Sequence, residues 1–235
     1  MKKTLSYILA IVVCLATLCG CGDTPSGGQT TDGPRDSVML RNALGMQTTD
    51  PADTNETDVL TVNEQIYEGL YTLDESGGGY QPCLAKQIDI SDDATVYTIT
   101  LQDGVKFHNG ETLKASDVVF SYQHFMDNPK YNSYTDMIEN VQALDDSHVE
   151  ITIARPYSPI LHTFFKIKIL SEKEVTSQGS DFGTIANLAG TGPYYMDAET
   201  YRPNSGWTLY AFEDYWQGAP QIKQIDYVVI EDNSA

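Results

Sequence analysis

Few side chains in this 235-residue sequence are spaced for covalent chemistry. The four histidines, His108, His124, His148 and His162, include no pair at the HxxxH spacing that sets two imidazoles on one helix face for a zinc ion. Each therefore reads as a packing or surface residue. Of the four cysteines, Cys14, Cys19 and Cys21 stand near the start, and only Cys83 lies in the patterned part of the chain. Neither an internal disulfide nor a cysteine metal site can be assembled there. Gly77, Gly78 and Gly79 are not followed by the Lys-Ser or Lys-Thr of a phosphate loop and read as a hairpin tip. Thr191-Gly192-Pro193 has no nucleophile and base beside it. Serine, histidine and aspartate are otherwise scattered, so no catalytic residue, metal ligand or cofactor is assigned.

The elements are more legible than any chemistry. From Thr95 to Leu101, Tyr97, Ile99 and Leu101 alternate with Val96, Thr98 and Thr100, the period of a strand. Asp103-Gly104 and Asn109-Gly110 supply turns on either side of a short second strand. From Ala115 the spacing becomes helical, with Val118, Val119, Tyr122, Phe125 and Met126 on one stripe. The result is a strand-turn-strand-helix unit of an α/β domain. Its residues Tyr97 to Leu101, Gly104 to Gly110, Ala115, Asp117, Val118 and Tyr122 resemble the signature of the extracellular solute-binding proteins of family 5. These are the dipeptide-, oligopeptide- and nickel-binding components of ATP-binding-cassette (ABC) importers. Gln102 and Lys114 replace the Arg and Thr common in that family, and neither change alters the turns.

Residues 1–20 read as a secretory signal: Lys2 and Lys3 precede an uncharged, mostly apolar run from Leu5 to Leu18 that is short for a membrane span. Leu18-Cys19-Gly20-Cys21 resembles a bacterial lipobox, which implies a lipid on Cys21. Residues 21–36, rich in Gly, Ser, Thr and Pro, form a flexible tether. The formal charge of −19 argues against nucleic acid and against adhesion to anionic lipid, and loss of Lys2 and Lys3 makes the mature chain more acidic still. Membrane attachment would then rest on the lipid. Fifteen tyrosines suit either a solute cleft or a β-rich core.

Further along, Ser37–Leu44 is expected as a first strand, Val59–Leu70 as a helix, and Val141–Leu144 with Val149–Ile153 as a strand pair. Lys166–Leu170 and Ile222–Ile230 read as strands, and by resemblance to family 5 Pro159–Phe165 would be a short helix and Trp207–Ala211 a further strand. Asp50-Pro51, Gln65 to Tyr71, Gly190 to Tyr195 and Glu213 to Gly218 resemble further landmarks of family 5. The resemblance implies a periplasmic-binding-protein-like lobe (type II, cluster C), with mixed β-sheets, flanking helices and the second lobe absent. Residues 37–65 and 171–235 would form a discontinuous first domain and residues 66–170 a small second one.

By the same resemblance, Asn55, Glu56 and Thr57 would approach a bound peptide, with Tyr131 or Tyr134 directed at it. The residues that hold the peptide's ends would lie beyond residue 235. The expected function is peptide capture for an ABC importer by a monomeric, lipid-anchored extracytoplasmic protein, here as an N-terminal fragment. The alternatives are a nickel, heme or oligosaccharide binder of the same family, or a lipid-anchored secreted hydrolase.

Overall fold

The computed structural model describes residues 36–54, 56–74, 76–184, 186–202 and 204–230. The expected signal, Cys21, nearly all of the tether, and Asn55 lie outside the described residues.

In chain order the elements are β1 (Ser37–Asn42), α1 (Thr57–Ile66), β2 (Tyr71–Leu73), β3 (Tyr80–Pro82), β4 (Ala85–Ile90) and β5 (Val96–Leu101). They continue with α2 (Ala115–Met126), a 3-10 turn at Pro129–Tyr131, α3 (Asn132–Thr135), β6 (Ile138–Ala143), β7 (His148–Ile153), α4 (Ile160–Lys166) and α5 (Glu172–Gln178). After a 3-10 turn at Gly179–Asp181 come β8 (Tyr194–Met196), β9 (Gly206–Ala211) and β10 (Gln224–Val229).

These strands make two four-stranded sheets, ordered β1-β10-β9-β8 and β4-β5-β7-β6, and a β2-β3 ribbon closed by the glycine tip. The first sheet is mixed, because β1 runs parallel to β10 while β10, β9 and β8 are antiparallel. The second is antiparallel. In β5 the predicted face of Tyr97, Ile99 and Leu101 is buried, and it meets Val149 and Ile151 of β7 in register. α2 covers this sheet with Val118, Tyr122 and Phe125, whereas Val119 sits at the partly exposed margin of the stripe. In the mixed sheet, Trp207 lies opposite Tyr227 and their rings stack 5.4 Å apart. Two sets of buried side chains result, one around each sheet. The chain passes between them at Tyr67–Leu70 and returns at Ile169–Leu170.

Three local expectations change at this crossing. α1 stops at Ile66, four residues earlier than its apolar pattern suggests, because Tyr67 turns extended and Glu68–Leu70 hydrogen-bond sideways to other segments. The expected strand Lys166–Leu170 is reduced to one bridge, Lys168 with Gly69, since α4 runs through Lys166. α5 was not foreseen, although Ser171 with Glu174 three residues later is a helix-start signature. Ser171 Oγ indeed accepts from Glu174 N at 3.2 Å. Likewise the short strand after Gly104 is a hairpin with a single bridge between Lys106 and Thr112.

Asp117, part of the sequence signature, binds two helix starts at once. Its carboxylate accepts from Lys114 N at 2.9 Å, closing the first turn of α2, and from Glu172 N at 3.0 Å, opening α5.

Candidate solute-facing site

The loop before α1 is fastened by side chains from α2 and the turn that follows it. Asp50 accepts from Ala52 N at 2.8 Å, folding the Asp50-Pro51 turn onto itself. His124, in the last turn of α2, donates Nε2 to the same carboxylate at 2.9 Å. Asn128 Nδ2 donates to Ala52 O at 2.9 Å, and Lys130 Nζ reaches both Asp53 O (2.7 Å) and Asp53 Oδ1 (2.6 Å). Tyr131 donates its hydroxyl to Pro51 O at 2.8 Å and more weakly to Thr54 O at 3.3 Å. From the other side Tyr67 OH donates to Thr49 O at 2.7 Å. The carbonyls of Thr49, Pro51, Ala52, Asp53 and Thr54 thus accept from side chains where a strand would use backbone partners.

Beside this loop opens a cleft of about 450 Å³ lined by Gln47, Thr48, Asp53, Glu56, Lys130 and Asn204, among others. Of the sequence-predicted residues, Glu56 lines it, standing exposed at the start of α1 without a side-chain cap. Thr57 is exposed on the first turn of α1 but is not in the wall. Tyr131 is buried, edge-on to Phe125 at 4.7 Å, and its hydroxyl is committed to the loop, with burial pushing its pKa up to about 12. Tyr134 stacks on His162 at 5.4 Å, away from the cleft wall. Gln47, Asp53, Lys130 and Asn204 escaped the sequence reading, because isolated polar residues in turns carry no periodic signal.

His124 is held among aromatic rings, stacked on Phe120 and edge-on to Phe182, with Asp50 as hydrogen-bond partner. That hydrogen bond raises its pKa above the usual value; burial opposes the shift and the charge of Asp127 adds to it. A histidine with a raised folded pKa contributes stability that is full below its unfolded value, about 6.5, and fades as pH rises through the folded value. The unfolding free energy of the wild type relative to His124→Gln should therefore decline as pH rises above about 6.5, by less than ~1 kcal/mol because the pair is partly solvated. Urea titrations at several pH values read this, and a pH-independent difference would refute it.

His108 has a different place. Its Nε2 donates to Gly192 O at 2.9 Å, its backbone N donates to Gly190 O at 2.9 Å, and its ring packs edge-on to Phe212. Burial lowers its pKa to about 4, so it stays neutral and fastens the hairpin of the second core to the Gly190–Pro193 segment. Among the described residues no group of three or more His, Cys, Asp or Glu is placed to hold a metal ion, and no helix is long and apolar enough to cross a membrane.

Comparison with known proteins gives this arrangement its context. The model of the bacterial extracellular solute-binding proteins, family 5, matches residues 79–235. The chain belongs to this family. The glutathione-binding protein GsiB of Salmonella typhi is 31% identical over 205 residues, which is 84% of the chain and 39% of GsiB. Listeria monocytogenes OppA bound to peptide superposes with a TM-score of 0.76 at 26% identity, over 84% of the chain and 43% of OppA. NikZ from Campylobacter jejuni in complex with Ni(L-His) gives 0.72 at 28% identity, over 84% of the chain and 40% of NikZ. The fold is accordingly periplasmic-binding-protein-like, and the chain spans about two-fifths of the length of these relatives. Family 5 members are solute-binding proteins rather than enzymes.

Proposed function

We propose that this family 5 chain captures peptides, glutathione-sized or longer, and presents them to the permease of an ABC importer. The observation that carries the reading is the buttressed Thr49–Glu56 loop beside a polar cleft. Hydrogen bonds from His124, Asn128, Lys130 and Tyr131 hold its backbone without secondary structure, leaving Glu56 free at the rim. A pre-formed polar edge of this kind suits a ligand with a hydrogen-bonding backbone. Asn55 and Thr57 flank Glu56 in the sequence and would extend the contact, while Tyr131 contributes by holding the loop. GsiB and OppA, which bind glutathione and peptide by name, favour peptides over the nickel complex of NikZ.

In this reading the protein is a monomer tethered outside the cytoplasm by a lipid on Cys21. Residues 37–65 with 171–235 form one domain and residues 66–170 a second; the two cores follow this division except that Ile66, Tyr67 and Leu170 pack with the first and Ala52 with the second. The rest of the solute contacts come from sequence that the longer relatives possess.

Calorimetry of the 235-residue chain and of a version extended to the length of the relatives, titrated with a peptide pool, a sugar panel and nickel, tests the proposal. Peptide uptake without turnover by the extended form, weakened in Glu56→Ala, is the expected result. Binding of sugar or nickel alone, or release of a product, would overturn it. Cys21→Ser should release the protein from membranes, and unchanged attachment would refute the anchor.

A further inference from the structure

Lys168 is a cation without a partner. It sits on the extended return from α4, bridged through its backbone to Gly69, with its side chain 93% buried as judged by a residue exposure of 7%. Its ammonium lies over the Phe165 ring at 4.4 Å, and among the described residues it makes no hydrogen bond and no ion pair within 4 Å. Glu68, the buried acid that lines a cavity together with Lys168, cannot supply one. Both oxygens of Glu68 are already occupied, Oε1 by Tyr215 OH (2.7 Å) and the Cys83 thiol (3.4 Å), Oε2 by Thr191 Oγ1 (2.8 Å) and Trp216 Nε1 (3.0 Å). A buried ammonium in that state costs several kcal/mol unless something from outside completes it.

Two cavities meet at this residue. The outer one, of about 290 Å³, is lined by Lys168, Phe165, Glu64, Thr72 and Gln217, among others. The inner one, of about 10 Å³, is lined by Lys168, Phe165 and Asn63 and has room for about one water. Asn63 is 1% exposed, and neither its amide oxygen nor its amide nitrogen has a hydrogen-bond partner. A buried cation with three free N–H groups thus lines both cavities, and an uncommitted amide lines the smaller, in a molecule whose overall charge is −19.

We propose that Lys168 anchors a pocket for a small carboxylate, bound in the outer cavity against Phe165, with Asn63 donating through a single water in the inner one. The anion supplies the acceptor that the ammonium lacks, and its alkyl part lies on the Phe165 face. Glu64, exposed on α1, is the competing acceptor from within the chain, and the experiment separates the two. This pocket is distinct from the cleft beside Glu56, with which it shares no lining residue.

The test titrates the 235-residue chain with sodium acetate against sodium chloride at constant ionic strength, followed in amide spectra. Saturable millimolar shifts at Thr72, Phe165 and Lys168 are expected with acetate and not with chloride. The affinity should fall about tenfold or more in Lys168→Met, as loss of a charge-assisted hydrogen bond requires, and hold in Lys166→Met. Glu64→Gln should leave it equal or tighter. Nuclear Overhauser contacts from 13C-labelled acetate to the Phe165 ring in the wild type provide a reading that needs no variant. Coincident acetate and chloride curves, wild-type affinity in Lys168→Met, or absence of the Phe165 contacts at saturating acetate would each overturn the proposal.

Discussion

Glu68→Ala is expected to lower the unfolding free energy by about 3 to 5 kcal/mol, because several buried neutral donors lose their acceptor at about 1 to 3 kcal/mol each and do not add in full. Burial pushes the Glu68 carboxyl pKa up, while the Tyr215, Trp216, Thr191 and Cys83 donors pull it back. Alanine would leave Tyr215, Trp216, Thr191 and Cys83 without their acceptor. The damage is architectural because of where the donors come from. Glu68 is on the crossing after α1, Cys83 precedes β4, Thr191 precedes β8, and Tyr215 with Trp216 follows β9. One carboxylate thus joins segments of both cores. Glu68→Gln keeps the shape and one oxygen acceptor, and the Tyr215 hydroxyl can turn to accept from the new amide, so its cost should be nearer 1 to 2 kcal/mol on an approximate scale. Equilibrium urea unfolding distinguishes the two variants. An alanine variant within about 1 kcal/mol of wild type would show that the network is ornamental.

The legibility of this molecule in its sequence followed the physics of repetition. β5, β7, β9 and α2 bury one face each, so their apolar residues recur at a period that can be read without knowing what covers them. The crossing between the cores could not be read in the same way. Val59 to Leu70 carries helical spacing throughout, yet the helix ends at Ile66 because the next residues must hydrogen-bond to Ile169, Cys83 and Leu84, which are distant in sequence. The cleft was harder still. The resemblance set Glu56 against a bound peptide, and the structure places it in the cleft wall, while Lys130 and Asn204 reach that wall only through turns whose geometry is set elsewhere. Tyr131 shows the limit from the other side. The resemblance directed it at a ligand, whereas its hydroxyl holds the Asp50–Thr54 loop. Glu68, Tyr215 and Trp216 stood in recognisable landmarks, and only the fold reveals that they touch.

Gly190→Ala should be more disruptive than its single methyl group suggests, with a loss of about 3 kcal/mol or more. A Cβ at residue 190 would lie 2.0 Å from Ile66 O and 2.9 Å from Ile66 C. Both are backbone atoms, so no rotamer change can relieve the clash, and either α1 must give up its last turn or the Gly190–Pro193 segment must retreat. Retreat would break two cross-links, since Gly190 O accepts from His108 N and Gly192 N donates to Ile66 O, each at 2.9 Å. Loss of the last turn of α1 would instead displace Tyr67, whose hydroxyl holds Thr49 O at the start of the loop beside the cleft. Either route couples a packing defect to the loop beside the cleft, so a chain that still folds should show altered amide signals from Thr49 to Thr54. Gly78→Ala is the control. Its Cβ would meet only the Ser76 hydroxyl at 3.4 Å, and its stability should stay within about 0.5 kcal/mol of wild type. Equal urea midpoints for the two variants would mean that α1 and the Gly190–Pro193 segment can separate without cost, and that the two cores are not held together at this point.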